Sequence, residues 1–239
     1  MRLCPETRRG AIIARMETAN SCIVLASASP RRRRLIGWLG VSVDAVAVDT
    51  AEDITSPLAA FPPQLAASIA AEKAVAAREE HGDGSLILAF DTIVVLDGAI
   101  LGKPVDLPDA YRMLRALSGR THEVVTGVAL FTPNADSPRT FAVTTHVTMR
   151  ALSEDDLATW AAKGELLGCA GAYNIEHHMA SVGLHECYHN VAGLPLCHLY
   201  AALVSGEFGD VPDGLTAPAA ACDAARGVQC ALGPELCGA

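Results

Sequence analysis

The stretch Ser85–Leu96 constrains the fold most: Leu-Ile-Leu-Ala-Phe and Ile-Val-Val-Leu frame one acidic residue, Asp91, and one threonine, Thr92. A run this apolar and this long reads as a strand. Asp97-Gly98 is a two-residue hairpin signal that turns the chain back into Ala99–Leu101 and the motif Gly102-Lys103-Pro104. An ionised carboxylate inside such a run is expensive to bury, so Asp91 marks a strand end, a paired charge or a site. Across the two-residue turn Lys103 comes level with Thr92, one position from Asp91 and nominally on the opposite face. A bulge or a strand end is needed to bring both into one cleft.

The flanking elements give an α/β order. Cys22–Ala26 is a short apolar strand running straight into a helix, with Ser29 as N-cap and Pro30 as first helical residue. That helix carries Arg31, Arg32, Arg33 and Arg34 in its first turn, where the macrodipole disfavours cations. They form either a solvated basic face or a phosphate seat of helix amides and arginine forks. Val41–Asp49 is strand-like, residues 50–63 a loop, and Gln64–Glu80 an amphipathic helix with Leu65, Ile69 and Lys73 on its inward stripe. A lysine there either snorkels or answers a buried anion. Pro108–Leu117 is a helix closed by Ser118-Gly119, and Glu123–Phe131 and Phe141–Met149 are strands. Ser153 caps a helix with Glu154, Asp155 and Asp156 in its first turn, and Gly193-Leu194-Pro195 opens a last helix to about Val204.

Composition bounds the rest. At 51% hydrophobic and 19% charged residues, a chain of 239 residues can bury a sizeable core, and no stretch reaches the roughly 20 uninterrupted apolar residues of a membrane span. A net charge of −9 is the wrong sign for coating nucleic acid or an anionic membrane. Residues 1–20 lack the apolar core of a secretory signal and read as an N-terminal extension, with Met16 as an alternative start, so a cytoplasmic protein with reduced thiols is expected. The single domain spans residues 21–206, and the Ala/Pro/Gly-rich residues 207–239 read as a flexible, Cys-containing tail. His185, Cys187 and His189 alternate and would share one face of a strand. Together with Cys222, Cys230 and Cys237 they are either metal ligands or polar residues around a pocket beside an unremarkable tail.

The embedded charges Arg31, Arg32, Glu52, Lys73, Asp91 and Lys103 are the inventory for a polyphosphate with a divalent metal. Their context is specific. The stretches Leu25-Ala26-Ser27-Ala28-Ser29-Pro30-Arg31-Arg32, Glu72-Lys73-Ala74, Phe90-Asp91-Thr92, Leu101-Gly102-Lys103-Pro104, Leu117-Ser118-Gly119-Arg120-Thr121-His122, Val125-Thr126-Gly127-Val128, Ala170-Gly171-Ala172-Tyr173 and Val191-Ala192-Gly193-Leu194-Pro195-Leu196 occur in order over about residues 22–205. In them the chain resembles the Maf family of nucleoside triphosphate pyrophosphatases. The resemblance implies hydrolysis between the α and β phosphates, a divalent cation (Mg2+ or Mn2+), and a homodimer. It implies a mixed, curved α/β sheet in two lobes around a central cleft. By matching motif, Asp91 would be the proton acceptor and Glu52 would join it around the metal. Ser27, Arg31, Arg32, Lys73 and Lys103 would bind phosphates, and Arg31, Thr92 and Glu176 would tune base choice.

In the pyrimidine-preferring branch of that family the region reads Asp-Lys-Ala-Gly-Ala-Tyr-Gly-Ile-Gln-Gly; here it is Gly168-Cys169-Ala170-Gly171-Ala172-Tyr173-Asn174-Ile175-Glu176-His177. The Cys-Ala-Gly lead-in and the glutamate resemble the branch preferring 7-methylguanosine triphosphate, whereas the tyrosine and isoleucine resemble the pyrimidine branch. A carboxylate suits the two adjacent donors of guanine better than a uracil or thymine edge. The expectation is therefore a guanine-type substrate. The alternatives are a dTTP/UTP pyrophosphatase or a catalytically silent, nucleotide-binding regulator of cell division.

Overall fold

The computed structural model describes residues 23–82, 84–133, 135–207 and 213–238; the expected extension over residues 1–20 lies outside them. Its regular elements are β1 (Ile23–Ala26), α1 (Pro30–Ile36), β2 (Val43–Val46), α2 (Pro62–His81), β3 (Leu86–Leu96), β4 (Ala99–Leu101), α3 (Leu107–Leu117), β5 (Thr121–Phe131), β6 (Arg139–Met149), α4 (Glu154–Ala161), β7 (Ala180–Val182), α5 (Tyr188–Val191), α6 (Leu196–Val204), α7 (Ala219–Arg226) and α8 (Leu232–Cys237). The mixed seven-stranded sheet runs β2-β1-β3-β5-β6-β7, with β4 also pairing β3. Strand β1 is parallel to β2 and β3, and the other pairings are antiparallel.

Strand β3 changes partner along one flank. It pairs with β1 up to Ala89 and with β4 from Val94 onward, so Asp91 and Thr92 fall in the interval between. Strand β4 stops at Leu101, two residues before Lys103. A strand end, rather than a bulge, frees Lys103 from the face its register would dictate.

The alternation of β3 and β5 divides the core. Ile87, Ala89, Ile93 and Val95, with Val125, Ala129 and Phe131, pack under Leu65, Ala66, Ile69, Ala70, Ala74 and Ala77 of α2. The opposite face joins Leu88, Phe90, Val94, Val124 and Val128 to α1, α3, α4 and α6. Burial of these aliphatic side chains holds the layers together.

The small residues of α2 let its backbone approach the sheet, and Gly127 makes the contact possible. A Cβ there would sit 2.1 Å from the backbone carbonyl of Ala66. No side-chain rotation relieves a clash with main chain. Gly127→Ala is expected to cost about 1–3 kcal/mol or more and to push away the helix that carries Lys73, seen as a lower Tm together with reduced turnover.

The described residues 213–238 depart from the flexible tail expected over residues 207–239. Within the described part, 213–238, two helices form: Thr216 N–H donates to the Leu39 carbonyl at 2.8 Å, and Cys222 enters the main core. Their apolar content is alanine, cysteine and a few leucines, whose burial leaves only a faint periodic trace in sequence.

Candidate active site

Lys73 is the centre of a chain of alternating charges. Its position on the inward stripe of α2 leaves it 8% exposed, and Nζ donates to Asp91 Oδ1 at 2.6 Å and to Glu52 Oε1 at 2.8 Å. Lys103 Nζ donates to both Glu52 oxygens at 2.9 Å. Asp91, 5% exposed, is thus a paired charge at the open flank of β3, which explains how an acidic residue persists in an apolar strand. Burial works to raise the Glu52 carboxyl, but the hydrogen bonds and charges of Lys73 and Lys103 outweigh it and hold the group at about 2.

The first turn of α1 faces this chain from across the cleft. Ser29 caps the helix and Pro30 opens it, as its sequence predicts. Arg32 donates from Nε to the Gly193 carbonyl at 2.8 Å and from Nη2 to Thr92 Oγ1 at 2.9 Å. Burial lowers its guanidinium to about 10, with the Asp91 charge opposing, so it stays protonated near neutral pH. Arg31 donates from Nη1 to Cys169 Sγ at 3.2 Å, while its buried Nε finds no partner among the described residues. Two guanidiniums satisfied mainly by neutral acceptors suit an anionic ligand. Ser27 Oγ accepts from the Ser29 N–H at 3.2 Å, which fixes the strand-to-helix turn between the two halves of the site.

These groups line one cleft of about 380 Å³, together with Thr92, Val94, Val124, Cys169, Ala170, Tyr173 and Ala192. Eight of the nine residues proposed from sequence converge here: Ser27, Arg31, Arg32, Glu52, Lys73, Asp91, Thr92 and Lys103. Glu176 does not. Its carboxylate pairs with Arg34, which, like Arg33, does not line the cleft. Lying close to a motif residue such as Tyr173 in sequence fixes the position of Glu176 but not the direction of its side chain.

Two polar residues outside the embedded charges complete the site. Thr126 Oγ1 lies 2.9 Å from Thr92 Oγ1 and donates to the Asn190 carbonyl at 3.1 Å. Fully buried Asn190 donates from Nδ2 to the carbonyls of Val124 and Val143 and to Thr145 Oγ1, at 3.0–3.1 Å. Together they brace the Thr92 and Gly193 acceptors that aim Arg32. Only the quoted motif Val125-Thr126-Gly127 hinted at this.

His185, Cys187 and His189 do not share a strand. Cys187 precedes α5, and His189 lies within it, edge-on to Trp38 and Tyr188. Burial lowers the His189 imidazole to about 4. Among the described residues no three His, Cys, Asp or Glu side chains are disposed to hold a metal ion. No described helix is long and apolar enough to cross a membrane.

A sequence profile of the Maf-like protein family matches residues 22–205. A dTTP/UTP pyrophosphatase of Geobacter metallireducens is 41% identical over 182 residues, covering 75% of this chain and 93% of its own length. Proteins of the same name from Geobacter sulfurreducens and Chlorobium luteolum are 43% and 42% identical, over 74% and 79% of this chain and 92% and 97% of theirs. A solved nucleoside-triphosphatase / dITP/XTP pyrophosphatase from Mycobacterium abscessus overlaps 54% of this chain and 72% of its own, at 21% identity and a TM-score of 0.34. With the profile spanning the whole sheet and every cleft residue named above, the chain belongs to the Maf-like protein family.

Proposed function

We propose that this protein hydrolyses nucleoside triphosphates at the α–β anhydride, releasing a nucleoside monophosphate and pyrophosphate, and that it prefers dTTP and UTP. The observation that carries the activity is the convergence of Asp91, Lys73, Glu52 and Lys103 with Arg31 and Arg32 on one cleft. Four side-chain cations against two carboxylates leave an excess of positive charge, but not enough to balance a triphosphate of about four negative charges. A divalent cation would supply the difference: Glu52 and Asp91 would hold Mg2+ or Mn2+, hard oxygen donors to a hard ion, and the bound ion would add positive charge against the phosphate oxygens. Arg31, Arg32, Lys103 and Ser27 bind phosphate oxygens, and Asp91 takes the proton of the attacking water.

The pyrimidine preference replaces the guanine-type substrate expected from Glu176. The carboxylate that would have read guanine is committed to Arg34, and the relatives at about 40% identity carry the name dTTP/UTP pyrophosphatase. Purified protein with Mg2+ or Mn2+ is expected to release pyrophosphate from dTTP and UTP with higher kcat/KM than from GTP or 7-methyl-GTP. Orthophosphate release would overturn the reaction, and a guanine preference would overturn the substrate. Glu176→Gln removes half of an exposed ion pair, of the kind worth about 1 kcal/mol or less. It is expected to leave the ratio of kcat/KM for UTP over GTP unchanged within about twofold; a larger shift would return Glu176 to the base.

A further inference from the structure

Residues 213–238 lie beyond the family match, which ends at residue 205, yet they are tied to both elements that hold Arg32. Arg32 stands on α1, while the Gly193 carbonyl that accepts from its Nε at 2.8 Å stands 161 positions later, in the connection between α5 and α6. Nothing local in sequence fixes one against the other. The tolerance between them is small: Gly193 has a φ of +90°, and a Cβ there would lie 3.2 Å from Arg32 Nε.

One end of the segment is fastened behind α1. Thr216 N–H donates at 2.8 Å to the carbonyl of Leu39, in the turn Gly37–Leu39 that follows α1. Gly40, at a φ of +74°, leaves room for this contact, since a Cβ there would lie 2.6 Å from Thr216 Oγ1. The other end is fastened to α5 and α6. The Arg226 guanidinium lies over the Tyr188 ring, 5.0 Å from its centroid, and α8 comes so close to α6 that a Cβ on Gly233 would lie 3.9 Å from Cys197 Sγ.

A line of rings joins the two fastenings. Tyr188 is edge-on to His189 and His189 to Trp38, with centroids 5.2 and 5.1 Å apart, and Trp38 belongs to the same turn as Leu39. The circuit therefore closes on itself. The carbonyls of His189 and Asn190 accept from the N–H groups of Leu194 and Gly193, both at 2.9 Å. The turn that aims the Gly193 carbonyl is thus built on the helix that the rings and Arg226 hold.

We propose that residues 213–238 act as a clasp holding α1 against the α5–α6 connection, with Arg226 and Thr216 as positioning residues for Arg32. The clasp touches no substrate and rests on the reading of Arg32 as a phosphate ligand. A guanidinium kept in register with Gly193 meets the phosphates already ordered. One released from register must be ordered when the ligand arrives, and that lowers affinity. The chemical step, assigned to Asp91 across the cleft, should change little.

Calorimetric titration of the full chain with inorganic pyrophosphate, in the presence of Mg2+, tests this. Arg226→Ala is expected to weaken pyrophosphate binding about fivefold, the scale of a residue that modulates binding without touching the ligand. Arg226→Lys keeps a cation over the ring and should stay within about twofold of wild type. Gly40→Ala, which drives a Cβ against Thr216 Oγ1 at the other fastening, should weaken binding in the same way and carries the test if Arg226→Ala does not fold. With dTTP as substrate the loss should fall on KM and spare kcat. In an Arg32→Ala background the effect of Arg226→Ala should vanish, because the two residues act as one unit. The clasp is overturned if the variants lower Tm but leave the pyrophosphate Kd at its wild-type value, if the loss persists in full without Arg32, or if it falls on kcat alone. A wild type that binds pyrophosphate yet releases none from dTTP or UTP would overturn the hydrolase reading and leave the binding results to decide the clasp.

Discussion

Asp91→Asn should reduce the rate of pyrophosphate release by at least about a hundredfold, the usual scale for loss of a general base, while nucleotide still binds. The substitution keeps the volume of a side chain that is 5% exposed, and its amide oxygen can still accept from Lys73 Nζ, which lies 2.6 Å from Oδ1. Lys73 also keeps Glu52 at 2.8 Å, so no buried ammonium is stranded and the fold should survive. What disappears is the proposed proton acceptor and one negative charge in a cleft proposed to take a polyanion. Affinity for the triphosphate should hold or rise as kcat falls. Single-turnover pyrophosphate release, with the Kd of a non-hydrolysable analogue measured alongside, separates the two effects. A variant that keeps most of its turnover would move the acceptor role to Glu52.

How much of this was legible beforehand follows the range of the forces involved. Strand β3, helix α2 and the Ser29-Pro30 start of α1 are set by local pattern and capping, and they form where the sequence predicts. Asp91 and Lys73 were each conspicuous as charges in apolar settings. Their pairing follows from the cost of burying either alone. Glu176 misled because the sequence near Tyr173 fixes its place along the chain, not the direction of its side chain, and Arg34 was the available cation. Thr126 and Asn190 went unassigned because their partners lie 34 to 66 positions away along the chain. The packing of Cys222 was hidden for another reason. Cysteine and alanine in a Gly/Pro-rich segment bury well without announcing a helical face, and only the partner surface on α6 reveals it.

Lys73→Met is expected to damage stability more than any other change at the site, and to reverse the sign of its pH dependence. In the wild type the Glu52 carboxyl sits at about 2, against an ordinary value of 4.5. A depressed folded pKa contributes stability that is fully present above pH 4.5 and is lost as the pH falls towards 2. Methionine keeps most of the length and the apolar stem of Lys73 but removes the ammonium 2.6–2.8 Å from both carboxylates. Asp91 then becomes a buried carboxylate facing another of like charge, a situation that costs on the order of 3–5 kcal/mol when one partner of a buried pair is deleted. Part of that cost is avoided by retaining a proton, which raises one carboxyl above its unfolded value. The folded variant then binds more protons than the unfolded chain, so its stability falls as the pH rises through about 4 to 7, where the wild type is flat. Urea midpoints measured from pH 3 to pH 8 decide it, and activity should drop at least about a hundredfold in parallel, as the proposed acceptor loses the ammonium that pairs with it. A variant whose midpoint follows the wild-type profile would show that Lys73 is not the charge that holds the Glu52 carboxyl low.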